Sequence, residues 1–277
     1  MAEIREFQPG VQATLQTIRA ACRAVDGQDP MDEASQLRLK HHGLDGARLW
    51  VLDEAGFAFL YDGALDLAVA PASRRHGVGT ALAEAASAET TSAWSHGDHP
   101  GAVRLAARHG FARVRELWVM RRPARLELGD VVVPPGVRIR HWEPGDEADL
   151  LRVNAAAFAH HPEQGGLSAA DLAERMAEPW FDPAGLIVAV DDTGMLGFHW
   201  TKRHSPELGE VYVVAIAPAA QGRGLGKVLT LAGLHHLAGV EEVLLYVESD
   251  NLPARAVYER LGFTHASIDT HVQYRRA

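Results

Sequence analysis

The spacing of apolar and polar positions changes several times along the chain, and each change predicts an element. Val137 and Ile139 alternate with Arg138 and Arg140, the period-two pattern of a strand with one buried face, running to His141. From Glu147 to Ala159, Leu150, Leu151, Val153 and Phe158 form the apolar stripe of a helix. Ser168 followed by Asp171 predicts a second helix start, with a hydroxyl N-cap and an acid in the first turn. Two apolar runs, 186–190 and 195–199, flank Asp191-Asp192-Thr193-Gly194 and predict a hairpin. A β-rich run over 210–217 is followed by a helix over 224–238 and a buried strand over 243–247. A further helix over 253–261 stops at Gly262, and a last strand lies around 270–275.

The pattern repeats. Ala70-Pro71-Ala72-Ser73-Arg74-Arg75-His76-Gly77-Val78-Gly79 matches Ala217-Pro218-Ala219-Ala220-Gln221-Gly222-Arg223-Gly224-Leu225-Gly226, with the prolines 147 positions apart (218 − 71). His109-Gly110-Phe111 matches Leu261-Gly262-Phe263, with the glycines 152 apart (262 − 110). Two landmarks in the same order at nearly one offset predict a duplicated domain. Pro134-Pro135 cannot lie in a central strand and reads as the linker. The expected domains are residues 1–130 and 137–277.

Composition narrows the partners. The 277 residues carry 27 basic and 36 acidic side chains, a net charge of −9, which argues against a nucleic-acid binder with a basic face. Cys22 is the single cysteine, so no intramolecular disulfide forms, as expected in a reducing cytoplasm. No apolar run reaches the roughly 20 residues of a membrane span, and the start has no signal-peptide core. The adjacent histidine pairs, such as His160-His161 and His235-His236, lack a recognised ligand spacing, so no metal is expected. A cytoplasmic monomer is the expectation.

The chemistry concentrates at the repeated glycine segment. Gln221-Gly222-Arg223-Gly224-Leu225-Gly226 follows a strand and opens a helix. Glycines there allow a sharp turn and close approach of backbone to ligand. The free amides at the helix N-terminus then make an anion site, to which Arg223 and Lys227 add charge. The spacing fits neither the Rossmann fingerprint nor a Walker loop.

This loop, with Asn251, Ala254, Tyr258 and Gly262-Phe263 downstream, resembles the GCN5-related N-acetyltransferase family over most of residues 138–277. The resemblance implies a mixed α/β (α+β) chain of two tandem acetyltransferase domains, each a twisted, mostly antiparallel sheet flanked by helices. It implies acetyl-CoA as cosubstrate, its pyrophosphate on Gln221, Gly222, Arg223, Gly224, Leu225, Gly226 and Lys227. Val214, Ala215 and Ile216 would hold the pantetheine and polarise the thioester carbonyl. Asn251, Leu252, Pro253, Ala254, Arg255 and Ala256 would line the same arm. In the first copy, Leu67, Ala68, Val69, Arg75, His76, Gly77, Val78, Gly79 and Thr80 would hold a second acetyl-CoA.

Transfer of acyl from a thioester to an amine needs a proton acceptor for the amine and a donor for the leaving thiolate. By resemblance Glu210 is the base and Tyr258 the acid. The first copy has Gly63 and Ala106 at these positions, so catalysis is expected only in the second. The match extends through 154–166, Trp180-Phe181-Asp182-Pro183 and Gly197-Phe198-His199-Trp200-Thr201-Lys202 to a tandem branch of the family. That branch acetylates the cysteinyl amine of cysteinyl-glucosaminyl-inositol, an amino-thiol pseudo-disaccharide. It implies Glu33, Glu163, Lys202, Glu210 and Tyr246 as substrate residues. An acetyltransferase for another small amine or a peptide N-terminus, or a non-enzymatic acetyl-CoA-binding regulator, remain the alternatives.

Overall fold

The computed structural model describes residues 1–160 and 164–277. In the first half, β1 (Ala2–Ile4), α1 (Pro9–Asp26), α2 (Glu33–His42), β2 (Ala47–Leu52), β3 (Gly56–Tyr61) and β4 (Ala64–Val69) lead to α3 (Val78–Ala86). Then come β5 (Ser92–Ser95), α4 (Pro100–Arg108) and β6 (Phe111–Pro123). The second half holds β7 (Arg138–His141), α5 (Glu147–Ala157), α6 (Ala169–Met176), β8 (Leu186–Asp191), β9 (Gly194–Arg203) and β10 (Leu208–Ile216). It closes with α7 (Leu225–His236), β11 (Glu242–Glu248), α8 (Leu252–Arg260) and β12 (Thr264–Arg276).

The chain forms two compact units, and no single cut separates them. One comprises residues 1–118 and 266–277, the other residues 119–265. The strand order is β1-β2-β3-β4-β5-β12 in the first and β7-β8-β9-β10-β11-β6 in the second. In the first unit Val272–Arg275 of β12 run antiparallel to β5. In both units the ladders are antiparallel until one parallel pairing, β4 with β5 and β10 with β11. The first unit thus takes most of β12, and the second the end of β6 from Val119 to Pro123, from the other repeat.

Each sheet is covered on both faces. In the first unit, Leu15, Ile18 and Cys22 of α1 pack on Phe57, Phe59 and Ala68, while Val78, Leu82 and Ala86 of α3 pack on Trp50, Leu60 and Leu65. In the second, Leu150 and Val153 of α5 meet Val188, Phe198 and Trp200, and Leu225 and Leu229 of α7 meet Ile187 and Leu196. One close approach recurs. A Cβ on Gly56 would lie 2.6 Å from Ala68 O, and one on Gly197 2.6 Å from Ala215 O, with Ala68 and Ala215 again 147 apart. The shared steric demand is the duplication written in packing.

The expected elements form, most with shifts of one or two residues at their ends, but β9 runs four residues past 199 and β12 starts six residues before 270. Ser168 and Asp171 make a full capping box on α6. Asp192 and Thr193 alone turn the β8–β9 hairpin. Strand β11 departs from the expectation of full burial, because Tyr246 is 40 % exposed. The alternation of a strand turns this one side chain outward while Leu245 and Val247 face the core.

Candidate active site

The glycine loop is built as its sequence requires. After a single helical turn at Pro218–Ala220, Gly222 and Gly224 take φ of +78° and +79°, conformations that cost side-chain-bearing residues roughly 1–2 kcal/mol. Gly224 is the N-cap of α7, and no side chain caps that end. Around Gly222, Gly224 and Gly226 the place of a Cβ is open space, a cradle any larger residue would fill. The uncapped amides and the positive end of the helix dipole suit a pyrophosphate. Arg223 points its guanidinium to Asp191, at 3.4 Å. The carboxyl of Asp191 sits below its ordinary range because Thr193 donates to it, with Arg223 adding to the effect.

In the first unit Gly77 caps α3 with φ +86°, again with no side-chain cap. Arg75 stands where the second copy has Gly222 and keeps the same left-handed turn, at φ +65°. The loop geometry therefore survives a residue unsuited to it.

Beside each loop the sheet opens. The parallel ladder of β10 with β11 ends at Val211↔Leu245, whereas the antiparallel ladder with β9 runs on to Ile216↔Gly197. A bulge between Val211 and Val213 marks the divergence. Val214, Ala215 and Ile216 therefore continue past the parallel ladder, with main-chain groups on that edge placed to meet an amide-bearing arm. The first unit repeats this: β4 leaves β5 after Leu65↔Ala93 but pairs β3 as far as Val69↔Gly56. Here the opening is a cleft of about 1060 Å³, lined by Leu67, Ala68, Val69, Arg75, Gly77, Gly79 and Thr80 among others. His76 is exposed and off this lining, and Val78 turns its side chain into the core. Asp26, within the cleft, holds Arg74 at 2.5 Å and His99 at 3.3 Å. Arg74 draws the Asp26 carboxyl below its usual range. Cys22 is buried, its thiol pushed up by desolvation and donating to Val69 O at 3.4 Å.

On α8, Asn251 is the N-cap and accepts from Ala254 N at 3.2 Å. Leu252 and Pro253 are exposed, Ala254 and Ala256 half-buried, and Arg255 donates to Ser249 O at 2.6 Å.

The two expected catalytic groups sit in different surroundings. Glu210 on β10 is 5 % exposed and faces Lys202 across the β9 ladder. Its Oε2 lies 2.6 Å from His204 Nε2. Lys202, also buried, sets its ammonium 4.6 Å from the Trp180 ring and 5.2 Å from that of Tyr212, whose hydroxyl accepts from Arg175 at 3.0 Å. The carboxylate thus meets an imidazole, while the ammonium of its cross-strand neighbour lies over two aromatic rings. Tyr258 on α8 packs edge-on against Phe263, with ring centroids 5.9 Å apart. Burial pushes its phenol up to about 12, so it stays protonated at any physiological pH.

Of the other substrate candidates, Tyr246 lies on β11 with an exposed ring and Glu33 opens α2 in the first unit. Glu163 lies outside the described residues. Sequence reading missed His204. The signal was its place just past Arg203, which pairs with Gly209 at the hairpin end, but only the register shows that it returns to Glu210. Among the described residues no three His, Cys, Asp or Glu side chains group as a metal site, and no helix is long and apolar enough to cross a membrane.

The comparisons with known proteins bear on the family and the fold. Residues 155–263 match the model of the acetyltransferase (GNAT) family. Mycothiol acetyltransferase from Nocardioides sp. is 56 % identical, covering 95 % of this chain and 97 % of that protein. The protein of the same name from Nocardia farcinica is 49 % identical over 92 % of this chain and 91 % of its own length. A GCN5-related N-acetyltransferase from Sphaerobacter thermophilus shares the fold over 99 % of this chain and 95 % of its own, with TM-score 0.73 at 24 % identity. A tandem GNAT protein from the clavulanic acid biosynthesis pathway shares it over 99 % and 97 %, with TM-score 0.68 at 20 % identity. Identity of 49 % and 56 %, sustained over nearly both full lengths, is more than a shared fold requires: the chain belongs to the mycothiol acetyltransferase family.

Proposed function

We propose that the second unit transfers acetyl from acetyl-CoA to the cysteinyl amine of cysteinyl-glucosaminyl-inositol, giving mycothiol. The chain is an acetyl-CoA-dependent acetyltransferase. The observation that carries the finer reading is the buried Glu210, held by His204 and set opposite Lys202 on the strand that leads to the opening.

Acetyl-CoA supplies an activated acyl group with a thiolate leaving group. The rest falls to this chain's residues. The α7 amides and Lys227 bind the pyrophosphate, and Val214–Ile216 align the pantetheine and donate to the acyl oxygen. Glu210 takes a proton from the acceptor amine, directly or through water. The reference α-amine titrates near pH 8, so a carboxylate suffices as base. His204 orients that carboxylate and links it to solvent, since it is about one-third exposed. Tyr258 gives its proton to the departing sulfur. Lys202, Tyr246, Glu163 and Glu33 meet the hydroxyls of the pseudo-disaccharide. The first unit, residues 1–130 in the repeat, holds acetyl-CoA in its cleft and does not transfer to the amine, because Gly63 and Ala106 replace the base and the acid.

The test is thiol release from acetyl-CoA in the presence of the purified precursor. Release that needs the precursor, and is far slower with glucosamine or a peptide amine, supports the reading. Equal rates on the peptide would assign a different acceptor, and no release by folded protein would leave a binding protein.

A further inference from the structure

The cleft of the first unit carries polar groups that its own fold leaves unmet. Tyr274 of β12 is only 6 % exposed, lies on the cleft wall, and among the described residues its hydroxyl has no hydrogen-bond partner. His96 Nε2 and His109 Nε2 are buried on the same wall and equally unpartnered. Buried polar groups in folded proteins are almost always satisfied, so three such atoms around one cleft point to a ligand that satisfies them.

The placement of the phenol narrows the ligand. Ala106 occupies the position that Tyr258 holds in the other repeat, and Ala106 lines this cleft. Tyr274 faces Ala93 across the β5–β12 ladder, and Ala93 faces Leu65 on β4, where the strands diverge. All three line the cleft. The phenol lost from α4 is thus replaced in the same cleft by one from the last strand, which the other repeat contributes. His96 lies near the end of β5, with Nδ1 3.3 Å from Nδ1 of His271. With that nitrogen donating to His271, Nε2 keeps a lone pair for a proton.

We infer that the first unit is a second thioester site with its own donor, Tyr274, and that it releases the thiol of acetyl-CoA to water. This rests on the reading that the first unit holds acetyl-CoA. The oxygen of water bonds to the acyl carbon as the carbon–sulfur bond breaks. Tyr274 gives its proton to the sulfur, and His96 Nε2 takes one from the water. The phenolate then recovers the proton held on His96 through the water that follows, and the second proton of the attacking water is released from the acid, so the products are acetate, free thiol and a proton in equal amounts.

The experiment uses the full chain carrying Glu210→Gln and Tyr258→Phe, which disables the second unit. Equilibrium dialysis counts bound acetyl-CoA, and thiol and acetate are followed without acceptor. Two equivalents bound, with release above the spontaneous rate that falls at least tenfold on adding Tyr274→Phe, is the expected result. A melting temperature that does not fall with Tyr274→Phe accompanies it, because the hydroxyl removed has no partner. Adding Ala106→Tyr to that variant restores release, and His96→Asn lowers it with Tyr274 intact. One equivalent bound overturns the reading that the first unit holds acetyl-CoA. Two equivalents with no release above the spontaneous rate, or with release indifferent to both Tyr274 and His96, overturn this inference alone.

Discussion

Loss of water penalises the charged form of an acid, carboxyl and phenol alike. Glu210 has the His204 imidazole 2.6 Å away to meet that penalty, and Lys202 as its cross-strand neighbour. At Tyr258 nothing opposes it, and the phenol stays a donor. Replacing Tyr258 with Phe should lower kcat by about 100-fold or more, the usual range for a lost general acid, with acetyl-CoA affinity nearly unchanged. Steady-state kinetics beside equilibrium binding checks this. A phenol at about 12 is protonated throughout the assay range, so kcat should show no alkaline loss from Tyr258 up to about pH 10. A fall centred near pH 9 that disappears in the Phe variant would contradict it. Glu210→Gln should cost about as much in kcat, which the same steady-state kinetics would show. Both residues were named from the sequence through the family motif, and the structure adds their burial and neighbours. His204 was not, because its part depends on a cross-strand distance that no local spacing encodes.

The elements that carry the glycine loops are fixed from beneath. Helix α7 lies on β9 so closely that a Cβ on Gly233 would come within 2.0 Å of the His199 ring. His199 is fully buried and donates from Nδ1 to Leu229 O at 2.8 Å, so one imidazole ties the helix to the sheet. Burial lowers its pKa from 6.5 to about 4. The unfolded chain therefore binds a proton that the folded one refuses. The stabilisation is complete above pH 6.5 and is lost as pH falls toward 4, by about 3 kcal/mol for this group. Thermal unfolding across that window should show the loss, and His199→Gln should flatten it. Gly224→Ala should raise KM for acetyl-CoA more than it lowers kcat, because a Cβ in the cradle strains the turn and crowds the phosphates. Periodicity foretold these elements well, since the stripe of α7 and the closing Gly262 are local signals. It did not foretell Tyr246 outside the core, because a short apolar run reads alike whether one face or both are covered.

At the scale of the whole molecule, the boundary drawn at the double proline marks the sequence repeat. The compact units cross it twice, since residues 119–130 lie in the second and 266–277 in the first. A strand's pattern records which face is buried and not which neighbour it pairs, so this crossing was invisible in the sequence. It has a direct consequence for dissection. A chain ending at 130 lacks the strand that covers β5, and one starting at 137 lacks the part of β6 that lies in the second unit. Each fragment alone should show lost near-ultraviolet dichroism and rapid amide exchange, whereas the two co-expressed should restore both. Independently folded fragments would refute this.

The exchange also bears on descent. Two identical single-domain chains that lend each other a final strand form a closed symmetric pair, and joining them head to tail yields this connectivity without a new contact. Fusion keeps the fold of each partner under selection, because its sibling's last strand still needs a home. The first repeat is then an ancestor's twin, kept by architecture whatever chemistry it runs.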